Sequence, residues 1–219
     1  MLFSEIIFLK KSMLNLDTLQ KSYQKFGTTM FGLKNSFFSD KEFKEVEQMI
    51  SKLPYEYVST GDAGEDNSVE VGRLMTDVEN PQVVNNTISN KVLNILNKKE
   101  HIDFYKKILK VDKIYLRRAQ VNKMHKSSFV GYHLDVDSNP DYLAAVVIQF
   151  GKNFSGGEYV VYENKNDKIG LSYPPFYQSM IISNCNYPHE VTKVIDGTRT
   201  SLVFFLCSHK DKNLRYKKN

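Results

Sequence analysis

The sequence predicts a mainly β fold, a sandwich or a barrel, with flanking α-helices packed on its outside. Two observations lead to this prediction. From Val111 onward, strand-like runs alternate with turn signals such as Gly156-Gly157 and Asp196-Gly197, and many short strands at close spacing are typical of sandwiches and barrels. Before that point, apolar residues recur at helical spacing, which indicates helices with one buried face.

The length of 219 residues fits one large domain that can bury a substantial core. We therefore expect a single domain over residues 1–219. Within it we expect a mostly helical part over 1–110, a β core over 111–207 and a basic tail over 208–219.

The clearest helix signal in the first part lies at Ser39. Ser39 and Glu42 form a capping-box pattern, and Pro54 ends the apolar repeat that follows. The polar stretch 59–68 after this helix is expected to be a loop.

Two further helices complete the first part, and strands fill the second. A helix is expected from Asn80-Pro81, where a cap residue precedes proline at the first helical position. A shorter helix is expected over 101–109. The expected strands are 113–123, 142–150, 158–163, 178–183, 190–194 and 200–207.

Composition and charge exclude several classes of protein. Hydrophobic residues make up 41% and charged residues 25%, which excludes a disordered chain. No apolar run approaches the ~20 residues of a membrane-spanning helix, and the segment from Met1 lacks the basic region and cleavage site of a signal peptide. The two cysteines, Cys185 and Cys207, indicate a reducing compartment, so we expect a cytoplasmic location. Much of the net charge of +5 lies in the C-terminal tail, which is more typical of a solvated end than of a nucleic-acid-binding arm.

A His-x-Asp pair and a later histidine form the pattern that carries chemistry. His133 and Asp135 lie two residues apart, so on a strand both side chains would face one cavity. His189 adds a second imidazole after 53 intervening residues. Two imidazoles and one carboxylate can cap one face of an octahedral metal ion and leave three positions open, as in non-haem Fe(II) oxygenases.

An arginine follows the second histidine at a distance that suits an anion site. Arg199 stands ten positions after His189 and begins an apolar strand, with Ser201 on the same face. A guanidinium matches a carboxylate through two parallel hydrogen bonds. A cation and a hydroxyl directed into a barrel therefore suit a small dicarboxylate.

These segments, together with Gly156-Gly-Glu158, resemble the Fe(II)- and 2-oxoglutarate-dependent dioxygenase superfamily in their order and spacing. The resemblance runs from Lys113 to Cys207 and is closest to the small prolyl-hydroxylase-like and free amino-acid hydroxylase branches. It implies a double-stranded β-helix, which is a jelly-roll-like barrel of the cupin type. It also implies Fe(II), the cosubstrate 2-oxoglutarate and O2, with ascorbate as an expected stimulant.

The resemblance also implies roles for individual residues. His133, Asp135 and His189 would bind iron, and Arg199, with Ser201, would bind the far carboxylate of 2-oxoglutarate. The carboxylate at Asp135 argues for oxygenation, because related halogenases carry a small residue at that position.

One position departs from the family pattern. The tyrosine that usually precedes the His-x-Asp pair and reaches the cosubstrate is missing, and we expect Gln120 or Asn122 to replace it as a hydrogen-bond donor. Arg118 lies on the same predicted strand face as both amides, where it can bind a substrate carboxylate or remain solvent-exposed. Tyr132, beside the first histidine, is a candidate to line the substrate pocket or to belong to the core.

The implied activity is hydroxylation of an sp3 carbon, with release of succinate and carbon dioxide. We expect a small-molecule substrate such as a free amino acid, because the sequence shows no appended recognition domain. A peptidyl-prolyl hydroxylase is the nearest alternative. A nucleic-acid oxygenase or demethylase and a non-catalytic cupin-like binding module are further alternatives. The expected partner is a small molecule or a peptide, with no membrane partner; the sequence leaves the oligomeric state open.

Overall fold

The structure is a computed structural model that describes residues 15–33, 37–164, 166, 170–210 and 213. The segment from Met1 and the tail residues 211–212 and 214–219 lie outside the described residues, so the expectations for them stay predictions. None of the helices in the described ranges is long and apolar enough to cross a membrane.

Four helices and fourteen strands follow one another along the described chain. In chain order they are α1 (Leu16–Phe26), β1 (Thr28–Gly32), α2 (Asp40–Ile50), β2 (Glu56–Thr60), β3 (Asp66–Asp77), β4 (Pro81–Val83), α3 (Asn86–Leu96), α4 (Lys99–Leu109), β5 (Tyr115–Met124), β6 (Phe129–His133), β7 (Tyr142–Gln149), β8 (Phe154–Gly156), β9 (Tyr159–Val161), β10 (Leu171–Tyr173), β11 (Ser179–Asn184), β12 (His189–Val191), β13 (Val194–Gly197) and β14 (Arg199–Cys207), with a 3₁₀ turn over Asp135–Asp137.

Twelve of the strands form one antiparallel sheet that curls into a nearly closed barrel. The strand order is β1-β11-β7-β14-β5-β3-β6-β12-β9-β10, with β2 and β4 paired to β3, while β8 and β13 form a separate pair. The 12-residue β3 joins the two halves, because one end pairs with β6 and the remainder pairs with β5. This architecture confirms the expected double-stranded β-helix with flanking helices.

The helices cover one outer face of the barrel and share its largest hydrophobic core. Side chains alternate along a strand, so Leu202 and Phe204 of β14 pack toward the helices while Val203 and Phe205 line the interior. The ring of Phe43 in α2 stacks on Phe150 with centroids 4.4 Å apart. Burial of this apolar surface against the sheet holds the helices in place.

The local signals for two helices are confirmed. Helix α2 begins directly after Ser39, whose hydroxyl accepts from the backbone N–H of Glu42 at 3.2 Å. The Glu42 carboxylate accepts from the backbone N–H of Ser39 at 2.8 Å, which completes the capping box. Helix α4 contains the whole of the expected 101–109 helix.

Two expectations for the first part of the chain are wrong. Residues 59–68 are not one loop, because β2 continues to Thr60 and β3 begins at Asp66. No helix begins at Asn80-Pro81: Pro81 pairs with Asp77 as the start of β4, an edge strand where proline is tolerated, and α3 begins at Asn86. Among the described residues up to 110, the four helices are accompanied by β1 to β4, which belong to the main sheet.

A β-bulge in β5 alters the expected alternation of side chains around Arg117 and Arg118. Along β14, Phe204 pairs with Ala119 and Leu206 pairs with Leu116, so β5 contains one extra residue between these pairs. Leu116 therefore joins Ala119 in the main core and does not share a face with Arg118. Arg118 lines the barrel cavity, whereas the Arg117 guanidinium is buried in an ion pair with Asp77.

The buried carboxylate of Asp77 connects β3 to β5 and to the start of β7. Its Oδ1 accepts from Arg117, and its Oδ2 accepts from the Asn139 amide at 3.0 Å and the Tyr142 hydroxyl at 2.9 Å. The side chains of Arg117 and Asp77 are 1% and 0% exposed, so neither charge is hydrated. Such a pair is costly to break, because removal of one partner leaves the other charge buried and uncompensated.

We predict that Asp77→Ala lowers the free energy of unfolding by about 3–5 kcal/mol, the range for breaking a buried ion pair. Asp103→Ala is the matched control, because it breaks an exposed ion pair with Lys99 in α4 and should cost about 1 kcal/mol or less. Urea unfolding followed by circular dichroism measures both variants. Equal losses in the two variants would contradict a structural role for the buried pair.

Candidate metal centre

Three potential metal ligands converge inside the barrel. Asp135 Oδ1 lies 3.3 Å from His133 Nε2, and Asp135 Oδ2 lies 3.6 Å from His189 Nε2. The ligand atoms all lie within 4.8 Å of one another, and the imidazole centroids are 4.3 Å apart. The three residues that the sequence singled out therefore form one cluster.

Strand pairing brings the two histidines together, and the end of strand β6 brings Asp135 beside them. His133 is the last residue of β6, and its Cα is paired with that of His189 at the start of β12. Asp135 does not continue the strand as expected; it begins the 3₁₀ turn Asp135–Asp137. The turn brings the carboxylate back toward both imidazoles, so the expected convergence occurs for a different local reason.

Backbone carbonyls orient both imidazoles toward the centre. His133 Nδ1 lies 2.8 Å from the carbonyl oxygen of Gly131, and His189 Nδ1 lies 3.1 Å from that of Tyr187. A carbonyl can only accept, so each Nδ1 carries a proton and each Nε2 is the nitrogen that faces the centre. This arrangement is typical of histidines that bind metals.

The electrostatics of the cluster fit a cation. Burial lowers the pKa of His189 to about 4. Burial also disfavours a charged His133, but its hydrogen bond to Asp135 outweighs that effect and raises the pKa to about 9. Burial acts to raise the pKa of Asp135, yet the neighbouring histidines hold it below its usual value. Asp135 Oδ2 is buried without a hydrogen-bond partner among the described residues. A bound metal ion would satisfy this oxygen by coordination.

A buried cation lies at the start of β14 in the same barrel. Arg199 begins β14 and is 1% exposed, and its Nη1 donates to the Ser201 hydroxyl at 3.1 Å. Its Nε and Nη2 have no hydrogen-bond partner within the described ranges. Burial lowers the pKa of Arg199 to about 10, so the side chain still carries its charge at neutral pH. A buried guanidinium with two free donors fits an anionic ligand.

Sequence reasoning missed a second polar group beside this arginine. Gln149 lies on β7 directly opposite Ser201, and it is 1% exposed. Neither its amide nitrogen nor its amide oxygen has a hydrogen-bond partner in the part of the chain that the structure describes. The available signal was a single amide in the otherwise apolar run Leu143–Phe150, since a polar side chain in such a strand normally has a partner.

The two amides expected to contact the cosubstrate also line the cavity, but in different ways. Asn122 on β5 pairs with Ser201 on β14, which also pairs with Gln149 on β7. Gln120 on β5 pairs with Val203, which lies two residues further from Arg199 along β14. The Gln120 amide is already engaged, because it accepts from Arg118 and donates to Asn122 at 2.8 Å.

The two candidate substrate-binding residues occupy different places. Arg118 lines the cavity that contains His133, Asp135 and His189. Tyr132 is 42% exposed, packs edge-on against Tyr162 with ring centroids 5.3 Å apart, and is not among the cavity-lining residues. Its neighbour in sequence faces inward, so Tyr132 faces outward, and we assign it no substrate contact.

Comparisons with known proteins agree with this geometry. Residues 119–207 match the family model of the 2OG-Fe(II) oxygenase superfamily. The crystal structure of an oxidoreductase of the 2OG-Fe(II) oxygenase family from Burkholderia pseudomallei is 34% identical, with 94% of this chain and 96% of that chain covered and a TM-score of 0.84. No protein of curated function matches the chain.

More distant solved structures share the fold. A prolyl hydroxylase from Trichoplax adhaerens, in complex with a hypoxia inducible factor oxygen degradation domain peptide, is 14% identical, with 93% and 92% of the two chains covered and a TM-score of 0.64. The alpha-ketoglutarate-dependent epimerase SnoN from nogalamycin biosynthesis is 9% identical, with 88% and 80% covered and a TM-score of 0.67. The identity and coverage of the bacterial relative show that this chain belongs to the 2OG-Fe(II) oxygenase family, and it is a 2-oxoglutarate-dependent dioxygenase.

We predict that His133→Ala, Asp135→Ala and His189→Ala each abolish tight Fe(II) binding, because each removes one of three ligands. The loss should exceed the about 10- to 100-fold that follows from removal of a group supporting a ligand. His125→Ala is the control, since its half-exposed ring contacts Glu70 and Thr198. Anaerobic Fe(II) titration by calorimetry measures the affinities, and wild-type affinity in any of the three variants would contradict the assignment.

Proposed function

We propose that the protein hydroxylates an sp3 carbon of a small molecule such as a free amino acid. The observation that carries this proposal is the buried His133, Asp135 and His189 cluster, with the buried cation Arg199 on β14 of the same barrel. A metal site and an anion site within one barrel suit a reaction in which a dicarboxylate and a second substrate meet at the metal.

The iron site is proposed to consist of His133, Asp135 and His189. Bound Fe(II) would supply the activation of O2, in which one oxygen atom converts 2-oxoglutarate to succinate and carbon dioxide and the other enters a C–H bond. The chain's own contribution is to orient the three ligands and to exclude water. Tyr159 supports this role, because its buried ring stacks on His189 with centroids 5.0 Å apart.

We assign the distal carboxylate of 2-oxoglutarate to Arg199, Ser201 and Gln149. The guanidinium supplies charge and two donors that have no partner among the described residues, and the Gln149 amide supplies a further donor from the neighbouring strand. This assignment gives Gln149 the place that we expected Gln120 or Asn122 to take. Asn122 lies in the same cross-strand row and remains a supporting donor, whereas Gln120 is already engaged with Arg118.

The turn between β2 and β3 favours a small substrate. Gly61, Asp62 and Glu65 of this turn line the cavity together with the metal cluster, so the chain itself encloses part of the space in which a substrate would bind. A peptidyl-prolyl hydroxylase is the second candidate, because the fold is shared with a prolyl hydroxylase that binds a peptide. We further propose a single domain, since helices and sheet share one core, and a reducing compartment such as the cytoplasm, since both cysteines are free.

The proposed reaction is tested by incubation of metabolite and peptide pools with the protein, Fe(II), 2-oxoglutarate and ascorbate. We expect a small molecule to gain one oxygen atom, with succinate formed in equal amount, as measured by mass spectrometry. His189→Ala protein is the control for uncatalysed oxidation. Oxygen gain confined to a prolyl residue of a peptide would replace the small-molecule proposal with the second candidate.

We predict that Arg199→Ala weakens 2-oxoglutarate binding by about tenfold or more. Hydrogen bonds to charged groups contribute about 1.5–3 kcal/mol, and about 1.4 kcal/mol corresponds to a factor of ten. Arg199→Lys keeps the charge but loses the planar guanidinium fork. Its affinity for 2-oxoglutarate should therefore fall between those of the wild type and Arg199→Ala. Gln149→Leu should lower the affinity by a smaller factor than Arg199→Ala, because a neutral donor is lost.

Anaerobic titration of the Fe(II) protein, followed by the metal-to-ligand absorption band, measures these affinities directly. Fe(II) affinity without 2-oxoglutarate serves as the internal control and should remain near the wild-type value, because none of these residues is a proposed ligand. Unchanged 2-oxoglutarate affinity in Arg199→Ala would contradict the assigned anion site.

A further inference from the structure

We propose that Arg118 binds a carboxylate of the primary substrate, and that Asp62 occupies the same guanidinium until the substrate arrives. The inference rests on the proposed function, since it concerns what is hydroxylated at that site. It narrows the substrate to small molecules that carry a carboxylate, and it assigns the turn between β2 and β3 to substrate entry.

Arg118 is held in a fixed orientation inside the cavity. Its side chain is 14% exposed, and its guanidinium carbon lies 5.6 Å from the ring centroid of Phe205. Its Nε and Nη2 donate to Gln120 Oε1 at 3.2 and 2.9 Å, and Gln120 in turn donates to Asn122. This support from one side leaves Nη1 to meet a carboxylate from the other side.

Asp62 supplies the carboxylate that now fills this place. Its Oδ2 lies 2.6 Å from Arg118 Nη1, and its side chain is 54% exposed on the turn over the cavity. The turn is closed by a backbone bond from the Gly61 N–H to the Glu65 carbonyl at 2.8 Å. Partly exposed ion pairs contribute little to stability, so exchange of one carboxylate for another costs little.

The position of Arg118 separates its ligand from the cosubstrate. The Arg199 guanidinium contacts Ser201, whereas the Arg118 guanidinium lies over the ring of Phe205. Ser201 and Phe205 are four residues apart on β14, about 13 Å at about 3.3 Å per residue, which is longer than a short dicarboxylate. Arg118 lines the same cavity as His133, Asp135 and His189, so a carboxylate bound there belongs to a second molecule beside the metal.

The experiment uses matched acids and amides. Each of the common L-amino acids and its carboxamide is added to the protein with Fe(II) and 2-oxoglutarate, and initial rates of succinate formation are measured. We expect at least one acid to stimulate succinate formation while its amide does not. Anaerobic change of the metal-to-ligand absorption band on addition of the same acid reports binding without turnover.

Two variants test the exchange at the guanidinium. Arg118→Gln should raise the Michaelis constant for the acid by about tenfold or more, as for loss of a charged hydrogen-bond partner, and should remove the preference for acid over amide. Asp62→Asn should lower that constant by about two- to fivefold, because it removes a competing carboxylate. Arg118→Lys should give an intermediate constant. Lys99→Gln and Asp103→Asn, which break an exposed ion pair in α4, should change neither the Michaelis constant for the acid nor the preference for acid over amide.

Three outcomes would overturn the inference: no acid stimulates the wild type, acid and amide act equally, or Asp62→Asn raises the Michaelis constant as Arg118→Gln does. The last result would indicate that the ion pair only supports the cavity wall. Each of these outcomes leaves the 2-oxoglutarate absorption band in place. Loss of that band in the wild type would instead contradict the proposed function itself, so the two failures are distinguishable.

Discussion

The pairing of β6 with β12 is the constraint on which the candidate site depends. It places His133 opposite His189, and a slip of one residue would turn one imidazole to the outer face of the barrel. The register is held from both sides, because β6 also pairs with β3 and β12 also pairs with β9. The end of β6 then allows the 3₁₀ turn to return Asp135 to the two histidines.

The barrel interior is divided along its length by the polar groups that it buries. The proposed anion site of Arg199, Ser201 and Gln149 lies at one end of β14 and its neighbours, and Arg118 lies toward the opposite end of β5. Between them the wall carries apolar residues such as Val147 and Val203, together with the amides of Gln120 and Asn122. Two cations that are separated in this way can bind two acidic molecules without competition, and the metal cluster opens onto the same cavity.

Local signals and ligand chemistry could be predicted from the sequence, whereas cross-strand effects could not. The capping box at Ser39 acts within one turn, so α2 was found; the Asn80-Pro81 signal was equally local but was overridden by pairing of Pro81 with β3. The triad was recognisable because few residue types bind iron. The bulge at Arg118 and the position of Gln149 opposite Ser201 depend on the register between strands that are distant in sequence. The alternation of side chains within one strand does not predict that register.

The most direct test of the central claim is anomalous X-ray diffraction at the iron edge from crystals grown anaerobically with Fe(II) and 2-oxoglutarate. We predict one strong iron peak bound by His133 Nε2, His189 Nε2 and a carboxylate oxygen of Asp135. The distal carboxylate of 2-oxoglutarate should meet the guanidinium of Arg199. An iron peak elsewhere in the protein, or a 2-oxoglutarate molecule whose distal carboxylate lies away from Arg199, would contradict the account.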